Sequence, residues 1–149
     1  MIKGKLIIFD LDGTLALTEH RQHFLEGEVK DWAGFFNACD EDEPNEPVVA
    51  LYKMLYDDND IIVFSGRSDA VHDKTTAWFE KHNIPFPDGL FMRADGDYTP
   101  DEQLKREWLT KFTEEELESI AFVVDDRSKV VKMWRDAGLT CFQVAEGNF

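Results

Sequence analysis

At 149 residues, with 43% hydrophobic and 32% charged side chains, the chain fits one globular domain whose core can fold without disulfide or metal staples. A formal net charge of −15 argues against non-specific binding along a nucleic-acid backbone and leaves room only for a local basic pocket. Cys39 and Cys141 stand far apart and outside any C-x-x-C pattern, and no early apolar run suits a signal peptide or membrane span, so a reducing cytoplasm is the expected setting.

Leu6-Ile7-Ile8-Phe9 is a β-rich run of the kind buried on both faces of a sheet, ending at Asp10 and a Gly13-Thr14 turn. Residues 16–46 are largely polar and hold His20, Arg21, His23, Trp32, Phe35 and Phe36. The aromatics are expected to form the core of this insertion, with stacking on a base as the sharper alternative. The two histidines have no third ligand at metal spacing and suit the surface or a substrate loop. Pro47 suits a helix start, followed by Val48, Leu51, Met54 and Leu55 at helical spacing. Residues 61–64 form a second buried strand closed by Ser65-Gly66-Arg67, and 70–81 read as a helix ending before Asn83 and Pro85. Leu90-Phe91-Met92 is a weaker third strand, and 101–112 are helical. Thr113 N-caps a short helix near 114–117. Residues 120–124 make a fourth strand ending at Asp125-Asp126. Ser128 is expected to cap a helix through Val130, Val131 and Trp134 that Gly138 stops, before a last strand over 140–144. No repeat, low-complexity segment or interdomain linker interrupts the pattern.

Strands alternating with helices imply βαβ units, a parallel sheet and a three-layer α/β sandwich, in which a ligand crevice lies beyond the carboxyl ends of the strands. The residues of interest fall at those ends. Asp10 and Asp12 follow strand one, Ser65 and Arg67 follow strand two, and Asp125 and Asp126 follow strand four. Four carboxylates in one pocket repel and raise one another's pKa. A hard divalent cation with oxygen ligands and remaining waters resolves this, and magnesium suits it. Asp10, Asp12, Asp125 and Asp126 are the candidate ligands, with Asp126 favoured for direct contact and Asp125 for orienting Lys105 or a metal-bound water. Asp10 is placed to attack phosphorus and form an aspartyl-phosphate, while Asp12 protonates the leaving alcohol and then activates water. The Ser65 hydroxyl and nearby backbone N–H groups, including Gly66, would hold the non-bridging oxygens. Lys105 would supply positive charge as the transition state develops. Beside Arg106 on a helix, Lys105 could equally be half of a solvated pair.

These residues resemble, in order and at the right strand ends, the four motifs of the haloacid dehalogenase superfamily of phosphotransferases. Asp10-Leu11-Asp12-Gly13-Thr14 matches the first motif, Ser65 the second, Lys105 the third and Asp125-Asp126 the fourth. The resemblance implies a Rossmann-like fold with a parallel sheet and a small cap inserted after strand one, at about 16–46, in a single domain spanning 1–149. Ser65-Gly66-Arg67, the stretch from Asp125-Asp126-Arg127 to Met133-Trp134-Arg135, and the ending Cys141-Phe142-Gln143-Val144-Ala145 with Gly147 and Phe149 are similar to the 3′-phosphatase domains of phage polynucleotide kinase/phosphatases. That likeness spans nearly the whole chain and is weakest across the insertion. It implies a magnesium-dependent phosphatase that removes a 3′-phosphate from RNA or DNA ends, in association with a 5′-kinase or ligase. Arg67 and Arg21 would engage the phosphate, with Thr14 and Arg127 also at the substrate, and Asp101 would orient Lys105.

No G-x-x-x-x-G-K-[ST] loop occurs in the sequence, so a 5′-kinase is not encoded in these residues, whether the phosphatase stands free or lies within a longer protein. The competing readings are a phosphatase of the same superfamily acting on nucleotides or other small phosphomonoesters, and a phospho-dependent binding module that keeps the fold without catalysis.

Overall fold

The computed structural model describes residues 4–149. Five parallel strands build the sheet in the order β5-β4-β1-β6-β7. They are β1 (Leu6–Asp10), β4 (Asp60–Ser68), β5 (Gly89–Arg93), β6 (Ile120–Asp125) and β7 (Cys141–Gln143). The central strand β1 is buried along its whole length, as its unbroken apolar run requires. Alternation then divides its side chains between two cores. Ile7 and Phe9 pack with Val48, Val49, Tyr52, Trp78 and Phe79 of α2 (Glu46–Tyr56) and α3 (His72–Lys81). Ile8 packs on the opposite face with residues of α4 (Asp101–Leu109) and α6 (Ser128–Asp136), among them Leu104, Trp108, Val131 and Trp134. The result is the three-layer α/β sandwich expected from the strand–helix alternation.

Between β1 and α2 the insertion folds as a two-stranded ribbon, β2 (Ala16–Leu17) with β3 (Glu43–Pro44), enclosing two 3₁₀ turns and the short helix α1 (Trp32–Asn37). A further helix, α5 (Glu114–Ser119), opens on a capping box in which Thr113 and Glu116 exchange hydrogen bonds.

Four local expectations are revised. Ser65-Gly66-Arg67 does not close its strand: β4 runs on to Ser68, with its register to β5 shifting between Ser65 and Ser68. The helix expected over 101–112 stops at Leu109. In α2 the buried face is Val48, Val49 and Tyr52, and Met54 points to solvent. Ser128 opens α6 without capping it; its hydroxyl donates to Asn148 Oδ1, while Asp125 Oδ1 accepts the backbone N–H groups of Asp126 and Arg127. Among the described residues, no helix is long and apolar enough to cross a membrane.

Candidate active site

A cleft of about 1000 Å³ opens over the carboxyl ends of β1, β4 and β6, with Asp10, Lys105, Asp125 and Asp126 among its lining. Asp10, the last residue of β1, accepts from Lys105 Nζ at 2.8 Å and from the Thr14 hydroxyl at 2.9 Å. Lys105 projects from α4 and also donates to Asp125 at 3.1 Å. Asp125 is nearly saturated, because the Trp134 indole N–H at 3.2 Å and two backbone N–H groups take its remaining capacity. Asp126 accepts the Thr14 hydroxyl at a longer 3.4 Å and also interacts with the Asp10 carboxyl. Carboxylate oxygens of Asp10, Asp125 and Asp126 lie within 4.8 Å of one another, a donor set suited to a hard cation.

Electrostatics make the same point. Burial pushes the Asp10 carboxyl well up, Asp125 and Asp126 add to that, and Lys105 opposes it. Burial likewise raises Asp126, with Asp125 contributing. Burial works against the Lys105 ammonium, but Asp10 and Asp125 outweigh it and hold the side chain charged. One ammonium cannot balance three buried carboxylates, and a divalent cation would. Gly13 is required beside this trio. It sits at φ +80°, and a Cβ there would come within 2.1 Å of Asp126 Oδ2.

Asp12 is not part of that group. Its Oδ1 accepts from Arg21 Nη2 at 2.8 Å and Arg67 Nε at 2.9 Å. Burial would raise its carboxyl, yet Arg67 and Arg21 prevail and hold it below the usual carboxylate range. The pocket of four carboxylates expected from the sequence is therefore a trio with a separately clamped fourth.

The clamp has a member that the sequence did not suggest. Asp42, fully enclosed, accepts from Arg21 Nε at 2.8 Å and Nη2 at 2.7 Å, and from Arg67 Nη2 at 3.1 Å; His20 Nε2 lies 2.6 Å from its Oδ1. Its backbone carbonyl accepts from Trp78 Nε1 at 2.8 Å. The remaining Nη1 groups are spent on Phe35 O and Thr75 Oγ1, so neither guanidinium has a face to the cleft. Arg21 and Arg67, expected from the sequence to engage the phosphate, are buried in this arrangement and meet the site through Asp12. The only available signal for Asp42 was that two buried arginines need carboxylates, and Asp42 lay inside an acidic run that reads as a solvated face.

Thr14 and Ser65 also lie behind the wall. Thr14 bridges Asp10 and Asp126, and the Ser65 hydroxyl accepts from the Arg67 backbone N–H at 3.1 Å. Gly66 and Arg127 do line the cleft. A Cβ on Gly66 would meet Asp101 Oδ1 at 2.7 Å. Asp101 faces Arg93 and, at 2.9 Å, Arg127 rather than bonding Lys105, to which it contributes only charge. Burial raises both thiols, Cys141 to about 12, so neither competes as a nucleophile.

An aspartate at the end of the central strand, bonded to a buried lysine and grouped with two further aspartates, is the arrangement of a phosphatase of haloacid dehalogenase fold. Residues 4–149 match the family model of the polynucleotide kinase PNKP phosphatase domain, and the chain belongs to that family. It is 35% identical over 143 residues to the "Putative bifunctional polynucleotide kinase/RNA ligase" of Autographa californica nuclear polyhedrosis virus, covering 94% of this chain and 19% of the viral protein. A chain in the structure of the Pnkp1/Rnl/Hen1 RNA repair complex superposes with a TM-score of 0.83 at 34% identity, over 98% of this chain and 44% of that one. A hydrolase of the haloacid dehalogenase-like family from Streptococcus pneumoniae, 13% identical, shares the fold with a TM-score of 0.61 over 95% of this chain and 84% of its own. The chain thus spans less than half the length of the viral protein and of the repair-complex chain.

Proposed function

We propose that this phosphatase removes the 3′-phosphate from RNA or DNA ends through an aspartyl-phosphate on Asp10. The observation that carries the reading is the placement of Asp10, bonded to Lys105, on the floor of a cleft far larger than a phosphate, in a chain of the polynucleotide kinase phosphatase family. The domain is read as 1–149, with 16–46 as its cap. Its setting is cytoplasmic, and a 5′-kinase or ligase is the expected partner, as the names of its relatives suggest.

The carboxylate trio fits magnesium, which Asp10 and Asp126 would hold with Asp125 in support; when bound, the ion would supply positive charge against the phosphate oxygens. An Asp10 oxygen attacks phosphorus, the bond from phosphorus to the 3′-oxygen breaks, and the leaving oxygen takes a proton from Asp12. Lys105, poised on Asp10, supplies charge to the phosphoryl oxygens. Asp12, again a carboxylate, then takes a proton from water as the water oxygen attacks phosphorus. Inorganic phosphate leaves and Asp10 is restored. The Arg21–Arg67–Asp42 clamp fixes Asp12 in place for both steps and favours the ionised form that the second step needs.

A substrate panel tests this. Phosphate release with magnesium should be fastest from a 3′-phosphorylated oligonucleotide, slower from a 3′-mononucleotide and slowest from a 5′-mononucleotide. A faster rate on the 5′-mononucleotide would replace end processing with a small-ester phosphatase.

A further inference from the structure

Trp32 is the one tryptophan that the fold does not bury. Trp78, Trp108 and Trp134 are core residues, whereas Trp32 is 44% exposed and lines the same cleft as Asp10. The aromatic cluster of the insertion is therefore divided. Phe35 takes the core position, buried with its ring 4.3 Å from the Arg21 guanidinium. Trp32 rests on that base, its centroid 5.9 Å from those of both Phe35 and Phe36, and turns the rest of its surface to the cleft.

The shelf is held in place rather than loosely attached. Asp31 N-caps α1 through the Gly34 N–H at 2.9 Å. Gly34 lets α1 press against Phe24, since a Cβ there would lie 2.7 Å from the Phe24 ring. Its Phe35 neighbour sits on the Arg21 side chain that clamps Asp12, so the shelf and the catalytic carboxylates share one support.

The surrounding chemistry suits a nucleotide. Lys30 Nζ lies 5.9 Å from the Trp32 ring centroid, a cation beside an aromatic face. Elsewhere the cleft is lined by Tyr98 and Phe149, both largely exposed, and by Lys129 and Arg127, whose guanidinium stands 5.3 Å from the Phe149 ring. Aromatic faces with a few cations hold single-stranded nucleic acid without reading its sequence, because every base presents a π-face. On a protein of net charge −15, such contacts at one cleft let a strand end be held where the wider surface repels it.

We propose that Trp32 is a stacking shelf for a base next to the 3′-phosphate, with Lys30 at the adjoining backbone. This inference rests on the end-processing reading. It adds a binding determinant located in the cap rather than among the strand-end motifs.

The test compares kcat/KM on two 3′-phosphorylated oligonucleotides, one intact and one with abasic sites at its last two positions. The wild type should favour the intact strand. Trp32→Ala should reduce that preference about 10- to 100-fold, and Trp32→Phe should restore most of it. A loss equal on both strands would mean a purely structural role for Trp32 and overturn the shelf, as would an unchanged preference. Titration with an unphosphorylated strand gives a readout independent of turnover. Quenching of tryptophan fluorescence should accompany binding of the intact strand and vanish in Trp32→Phe. Its absence in the wild type also overturns the shelf. Wild-type protein that is quenched by the strand but releases no phosphate from either oligonucleotide would sink the end-processing reading and leave the shelf standing.

Discussion

Asp10 and Asp12 are separated by one residue and placed in opposite surroundings. Asp10 is enclosed with two other carboxylates, so its charge is opposed by burial and by repulsion. Asp10→Asn should lower phosphate release by about 10⁴-fold or more, as loss of a covalent nucleophile does. The same change removes an unfavourable buried charge, so melting in chelator near neutral pH should occur at or above the wild-type temperature. Turnover retained in this variant would exclude Asp10 as nucleophile. Asp12 is held ionised by its arginines, yet the proposed first chemical step has it carry a proton. A low pKa keeps that protonated fraction small, and it grows as pH falls. Pre-steady-state release of the alcohol should accordingly speed up from about pH 8 to about pH 6. A rate that rises with pH would remove Asp12 as the acid.

At the scale of elements, Asp42 joins the insertion to the core. It lies at the base of the β2–β3 ribbon, bonds Arg21 of the insertion and Arg67 of β4, and receives the Trp78 indole of α3 at its carbonyl. Asp42→Ala would leave two buried guanidiniums short of a partner, and breaking such a network costs about 3–5 kcal/mol. Urea denaturation should register that loss, and phosphate release should fall with it because Asp12 loses its fixed position. The capping box at α5 offers a contrast. Thr113→Ala should cost about 1 kcal/mol without changing turnover, since Thr113 is exposed and neither it nor Glu116 lines the cleft.

For the whole molecule, the carboxylates link stability to pH and, in the proposed function, to magnesium. A carboxyl whose folded pKa exceeds its unfolded value binds more protons in the native state, so stability declines as pH rises through that interval. Asp10 and Asp126 are of this kind. Asp12 is the reverse: its contribution is present above the ordinary carboxyl range and disappears on acidification below it. In chelator, the melting temperature should increase as pH is lowered from about 7 towards about 5, then drop at stronger acidity. Magnesium should raise it more at the upper end, where no proton relieves the trio. Calorimetry with and without the ion checks this, and a pH-independent magnesium increment would place the ion elsewhere.

Much of this molecule was legible in one dimension, for a physical reason. Buried strands need continuous apolar runs, a parallel sheet brings strand ends to one edge, and a carboxylate at a strand end has few other uses. Asp10, Asp125 and Asp126 could thus be gathered before any coordinates, and Lys105 joined them only through the family resemblance. What could not be read was which polar groups face one another. Nothing in the composition of the insertion distinguishes Asp42 from its acidic neighbours, or Trp32 from Phe35, because burial there is set by contacts with residues far along the chain. The same holds for Arg21 and Arg67. Their charge implies a partner, and the tertiary structure decides that the partner is a carboxylate within the protein. Sequence determined the chemistry available at the sheet edge; packing of the insertion against α3 and β4 decided which groups perform it and which hold them in place.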